Sequence, residues 1–118
     1  MGYLHRDMKP ENICIGQGKR SNLIHLIDFG LVKRFICPST GQHLKPCKNK
    51  GVIGTTRFLS RNAHLGNQQS RADDLIAFGT ILVFLYNDGA LPWDTEPIPV
   101  LEVDDKDPLV YEKTIEYQ

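Results

Sequence analysis

The stretch His5-Arg6-Asp7-Met8-Lys9-Pro10-Glu11-Asn12, followed further along by Asp28-Phe29-Gly30, decides how the chain is read. Between the two lie Ile13-Cys14-Ile15, a polar segment with Gly16, Gly18 and Asn22, and a second apolar run over residues 23–27. Glycine and asparagine supply the backbone angles of turns, so the pattern predicts a small hairpin over residues 13–27. An antiparallel hairpin returns the chain to its starting edge. Asn12, just before the first strand, and Asp28, just after the second, therefore meet at the open end, and two oxygen-bearing side chains converge.

Downstream, residues 31–69 keep neither helical nor strand periodicity for long. A stretch of that kind inside a compact domain is functional or disordered, and here it is read as a substrate-facing loop. Ser70 and Asp73 have the spacing of a capping box, and the apolar run from Leu75 to Tyr86 behind them predicts a helix over residues 71–86, ending near Asn87, Asp88 and Gly89. This helix is apolar on nearly every side and is expected to be central and buried. Beyond Leu91-Pro92-Trp93 the chain is acidic and broken by Pro97 and Pro99, which predicts a loop. Asp107-Pro108 suits the start of a short last helix, with Tyr111 and Ile115 on one face.

With 118 residues, one compact unit is expected. Apolar residues at 41% and charged residues at 24% match soluble globular proteins and argue against disorder or a fibrous repeat. The longest apolar run is too short to span a bilayer, which takes about 20 residues, so no membrane partner is expected. Residues 1–12 carry His5, Arg6, Asp7, Lys9 and Glu11, leaving no apolar stretch for a signal peptide. A cytoplasmic or nuclear location is the expectation. Cys14, Cys37 and Cys47 are odd in number and lack paired spacing, which points to reduced thiols. Cys37, His43 and Cys47 also form a possible metal trio, but there is no CxxC pair and a structural zinc needs a fourth ligand.

Net charge is zero, yet its distribution is lopsided. No acid occurs from Leu31 to Arg71, where Lys33, Arg34, Lys45, Lys48, Lys50, Arg57, Arg61 and Arg71 lie. From Ala72 to Gln118 there are eleven acids against Lys106 and Lys113. One reading is two solvated faces that partly neutralise each other; the other is an anion-binding surface. Nucleic acid fits poorly, because the basic stretch has few interleaved aromatics beyond Phe35 and Phe58 and no known nucleic-acid module. An acidic or phosphorylated polypeptide fits better.

His5 to Asn12 have the form H-R-D-x-K-P-x-N, and with Asp28-Phe29-Gly30 they resemble the catalytic loop and D-F-G motif of protein kinases. The resemblance implies that Asp7 orients the substrate hydroxyl and accepts its proton. Asn12 and Asp28 would supply oxygens to Mg2+, and Lys9 would neutralise the transferred phosphate of ATP. A lysine two residues after Asp7 is typical of serine/threonine kinases, and Thr55 stands where such kinases place a threonine that bonds the catalytic loop. His5, Phe29 and Trp93 read as packing residues, and Arg6 as an ion-pair partner of the loop. Asp74 is expected to accept backbone N–H groups of the catalytic loop, because a carboxylate on an apolar helix must find donors.

The residues from Gly54 to Trp93 narrow the family. Gly54-Thr55-Thr56-Arg57-Phe58, Ser60-Arg61-Asn62, His64-Leu65-Gly66, Gln69-Ser70-Arg71, Asp73-Asp74-Leu75 and Leu91-Pro92-Trp93 resemble casein kinase I, with Ser-x-Asn where most kinases carry Ala-Pro-Glu. The implied fold is α+β, mainly α: part of a kinase C-lobe with a catalytic loop at 5–12, the hairpin at 13–27, an activation segment at 28–62, the central helix at 71–86 and an acidic loop with a short helix at 94–117. Family members favour serines or threonines near acidic or phosphorylated residues, and Lys50 and Arg57 fall on positions used to bind such substrates. Glu96, Glu102, Asp104, Asp105 and Asp107 stand where the family usually carries a lysine-rich helix.

No glycine-rich loop and no N-lobe lysine precede Gly2 within these residues, so the 118-residue chain alone is expected to show little phosphotransfer. Two functions follow as expectations. One is a serine/threonine kinase of casein kinase I type using ATP and Mg2+, represented by part of its C-lobe. The other is a non-catalytic module that binds acidic or phosphorylated polypeptides.

Overall fold

A computed structural model of the chain describes residues 2–47 and 50–95. The short helix predicted near the C-terminus, with most of the acidic loop before it, lies outside the described residues. The first element is β1 (Tyr3–Leu4), followed by a 3-10 turn at Pro10–Asn12 that delivers the chain into β2 (Ile13–Ile15). Pro10 suits the first position of that turn because it has no N–H to leave unpaired. β2 pairs antiparallel with β3 (Ile24–Leu26) in the register Ile13–Leu26, Cys14–His25 and Ile15–Ile24. The Ile27 N–H donates to the Asn12 carbonyl at 3.0 Å and closes the open end of this hairpin. The residues just before and just after it are thereby tied together, as the sequence predicts.

The long segment after the hairpin is mostly irregular, as expected, but it is pinned at several points. β4 (Lys33–Arg34) pairs antiparallel with β1, so the segment is stitched back to the strand that precedes the catalytic loop. A single bridge joins Ile36 to His43, a 3-10 turn runs over Thr56–Phe58, and a one-turn helix, α1, covers Arg61–His64. Strands of two residues carry too little alternation to show in sequence. Their stability comes from their partners, not from their own pattern.

The predicted helix forms over the expected residues as α2 (Arg71–Tyr86). Its start is a capping box: Ser70 Oγ accepts from Ala72 N, and Asp73 Oδ2 accepts from Ser70 N at 2.5 Å. It ends where Gly89, at φ +85°, turns back and donates to the Phe84 carbonyl at 2.8 Å. Ala77 and Ile81, four residues apart, pack with Met8, Phe58 and Leu91 into one core, against which Ile13, Phe84 and Trp93 lean. The helix is not covered on every side: Leu75, Ile76, Phe78, Leu82, Val83, Leu85 and Tyr86 are exposed. A helix that is apolar all round needs partners on all faces, and among the described residues only one stripe has them. Among those residues no helix is long and apolar enough to cross a membrane.

Candidate active site

The catalytic loop is held from below by α2. Asp74, one turn into the helix, accepts the N–H groups of His5 at 2.7 Å and Arg6 at 2.9 Å. The carboxylate meets its need for donors in the way the sequence predicts, and the loop is anchored by both its oxygens. Arg6 has φ +66°, a left-handed conformation that non-glycine residues seldom adopt. The adjacent chain is correspondingly tight: at Gly54, with φ +106°, a Cβ would sit 2.4 Å from the Arg6 carbonyl oxygen. Glycine is therefore required there, and it lets Thr55 reach the loop. Among the described residues Arg6 makes no ion pair; its Nε donates to the Leu31 carbonyl at 2.7 Å and ties the loop to the following segment.

Asp7 sits at the centre and is buried. Its Oδ1 accepts from both Thr55 Oγ1 at 2.7 Å and Thr55 N at 2.9 Å. Its Oδ2 faces Lys9 Nζ at 2.9 Å and Asn12 Nδ2 at 3.4 Å. Burial acts to raise the Asp7 carboxyl, but the Lys9 and Thr55 donors outweigh it and hold the group below the ordinary carboxylate range. The same contact with Asp7 raises the Lys9 ammonium. Lys9 Nζ also reaches Thr55 Oγ1 at 3.3 Å, so one ammonium stands between the carboxylate and the threonine.

Asn12 is buried and its Nδ2 donates to the Asp7 carbonyl at 2.9 Å, which fixes the amide and leaves its Oδ1 as the group to offer a cation. Asp28 lies just beyond the open end of the hairpin, next to the Ile27–Asn12 bond, with φ +59°, and its Oδ1 accepts from Gly30 N at 3.1 Å. An amide oxygen and an exposed carboxylate brought to the same edge are the hard oxygen donors that Mg2+ takes when phosphates and waters complete its shell. The donor set fits the cation. His5 is buried and links the two halves: Nε2 donates to the Ile27 carbonyl at 3.1 Å, and its ring meets that of Phe29 with centroids 5.5 Å apart. Phe29, expected as a packing residue, nevertheless leaves 63% of its surface exposed.

The two basic residues singled out for substrates lie in different settings. Lys50 is exposed and lines a cleft with Arg6, Lys33 and Gln69. Arg57 is instead engaged by Asp94, with Nε to Oδ1 at 2.8 Å and Nη2 to Oδ2 at 2.5 Å. Sequence reasoning did not anticipate Asp94, since nothing local links it to Arg57. It also did not assign Asp73 its second role: besides capping α2, Asp73 accepts from Ser60 Oγ and, at 3.2 Å, from Asn62 Nδ2. Ser60 and Asn62, the two defined positions of the Ser-x-Asn signature, thus lock the end of the irregular segment onto the helix. Trp93 leans on the core as expected, and its indole N–H donates to the Arg57 carbonyl at 3.0 Å.

A family model described as protein kinase domain matches residues 1–111. The chain belongs to the protein kinase domain family. Protein kinases as a family transfer phosphate from Mg2+-bound ATP. In this kinase domain Asp7, Lys9 and Asn12 are joined by direct contacts, and Asp28 follows Ile27, whose N–H is bonded to the Asn12 carbonyl.

Proposed function

We propose that this chain carries the catalytic-loop half of a serine/threonine protein kinase of casein kinase I type, which transfers the ATP γ-phosphate to serine or threonine hydroxyls of acidic or phosphorylated polypeptides. The observation that supports it most is the Lys9 ammonium lying between Asp7 Oδ2 and Thr55 Oγ1. Thr55 gives Asp7 Oδ1 two short contacts, and we assign the incoming hydroxyl to Oδ2, on the side where the Lys9 ammonium lies 2.9 Å away. A carboxyl held below its usual range is ionised at neutral pH and orients that hydroxyl as a hydrogen-bond acceptor. As the hydroxyl oxygen bonds to the γ-phosphorus, the bond from that phosphorus to the ADP oxygen breaks and the hydroxyl proton passes to Asp7. Lys9 beside it neutralises negative charge on the phosphoryl group. Mg2+, held by Asn12 and Asp28 when bound, supplies further neutralisation of the phosphates.

The preference for acidic partners rests on Lys50, Arg6 and Lys33 around one cleft, within a stretch that contains no acid. The same cleft favours the second reading, a module that holds acidic or phosphorylated segments without transferring phosphate. These 118 residues contain no glycine-rich loop, so the two readings are separated by joining the sequence to a lobe that supplies that loop and its lysine. Transfer to an acidic serine peptide, with little transfer to its tyrosine or lysine-rich counterparts, is the expected result. Binding of the acidic peptide without any transfer supports the module, and a tyrosine preference contradicts the first reading.

A further inference from the structure

The Nε–Nη2 edge of the Arg57 guanidinium is taken up by groups of its own chain. Its Nε and Nη2 make a forked contact with both oxygens of Asp94, and Nη2 also donates to the Gly89 carbonyl at 3.1 Å. Its guanidinium carbon lies 4.8 Å from the ring centre of Phe84 and 5.7 Å from that of Phe58. Asp94 is fixed in turn, because its Oδ2 accepts the Leu91 N–H at 2.7 Å within the 3-10 turn Pro92–Asp94. A two-pronged carboxylate contact is the geometry with which arginine recognises carboxylate or phosphate on a partner. Here the chain supplies that anion itself.

We infer that Asp94 is a specificity-determining residue: it occupies Arg57 as an internal substitute for an acidic or phosphorylated substrate group, and leaves anion recognition to the cleft of Arg6, Lys33 and Lys50. This rests on the reading that the protein binds acidic polypeptides, and it narrows where they bind. An anionic group approaching Arg57 must displace a carboxylate already held by two contacts and a cap. One approaching Lys50 meets an exposed side chain that has no carboxylate partner among the described residues. The basic side chains of this surface are therefore not equivalent, although the sequence places them in one acid-free run.

The test is the affinity of the 118-residue chain for a short phosphoserine peptide of otherwise neutral side chains, followed by fluorescence anisotropy in wild type and five variants. Lys50→Ala is expected to weaken binding several-fold, which tests the underlying reading. Arg57→Ala is expected to change it little. Asp94→Asn keeps the cap on Leu91 but loses the charge, and is expected to tighten binding about two- to fivefold, the range of an exposed ion pair. That gain is expected to vanish in Asp94→Asn/Arg57→Ala. Gln17→Lys, which adds one positive charge at the far end of the hairpin, separates a local release of Arg57 from a change in net charge. The inference is overturned if Arg57→Ala weakens binding as much as Lys50→Ala does, if Asp94→Asn brings no gain, or if Gln17→Lys reproduces that gain. A Lys50→Ala variant that binds normally beside an Arg57-dependent gain in Asp94→Asn counts against the cleft and leaves the masking role of Asp94 supported.

Discussion

Thr55 gives Asp7 two donors, one from its backbone and one from its hydroxyl, and the hydroxyl contact is the shorter at 2.7 Å. Thr55→Val keeps the shape and the backbone donor but deletes the hydroxyl. The Asp7 carboxyl is then expected to rise toward its ordinary value, read by NMR titration of its carboxyl carbon; an unchanged value would mean that Lys9 and the Thr55 backbone donor suffice to hold it down. The sign for stability follows from linkage. A carboxyl depressed in the fold contributes stability above its unfolded value of 3.8, and this is lost as pH falls through the folded value. Thr55→Val therefore costs part of that contribution at neutral pH and makes the acid limb shallower. His64 works on a different range. It is buried, its Nε2 has no hydrogen-bond partner among the described residues, and burial holds its imidazole below 6.5 against the opposing effect of a backbone contact with Thr56. Its neutral form is favoured in the fold, so stability is complete above pH 6.5 and falls as pH drops through the folded value. Urea midpoints measured from pH 7.5 down to about 5 should show that decline, and His64→Leu should flatten it.

Among the elements, the hairpin and α2 were legible because each has both a periodic or turn-bounded body and recognisable ends. Ser70 and Asp73 announce one end of α2, and Asn87 to Gly89 the other. β1, β4 and α1 were not legible, since two- and four-residue elements carry no period and exist through contacts distant in sequence. The site divides in the same way. Asp7, Lys9, Asn12 and Asp28 follow one another in a short motif, whereas Asp94 reaches Arg57 from a separate turn and leaves no local trace. Phe29 read as a packing residue, but a hydrophobic type does not state what covers it. The link between Ser60 and Asp73 gives an element-scale prediction. Ser60 Oγ caps α1 by accepting from Ala63 N at 3.1 Å and donates to Asp73, and it is fully buried. Ser60→Ala removes a cap and a buried donor together and should cost about 1–3 kcal/mol in urea unfolding. A loss well under that would show that Asn62 alone secures the segment to α2.

For the molecule as a whole, the exposed apolar faces of α2 and the hairpin are its most unusual surface. Leu75, Leu82, Leu85, Tyr86, Ile15 and Ile24 each show half or more of their area to solvent. Exposed apolar side chains in this number favour association, so sedimentation velocity should reveal concentration-dependent self-association, relieved by Leu75→Lys/Leu82→Lys. A strictly monomeric chain at every concentration would contradict it. The catalytic arrangement rests on the remaining surface, where α2 carries Asp74, Asp74 carries the loop, and the loop presents Asp7 to Thr55 and Lys9. Its role in phosphotransfer is tested most directly by one substitution. With the sequence joined to a lobe that supplies the glycine-rich loop and lysine, transfer of labelled phosphate from ATP to an acidic serine peptide should fall about a hundredfold or more in Asp7→Asn, the scale of a lost acid–base group. Equal transfer by wild type and Asp7→Asn would contradict it.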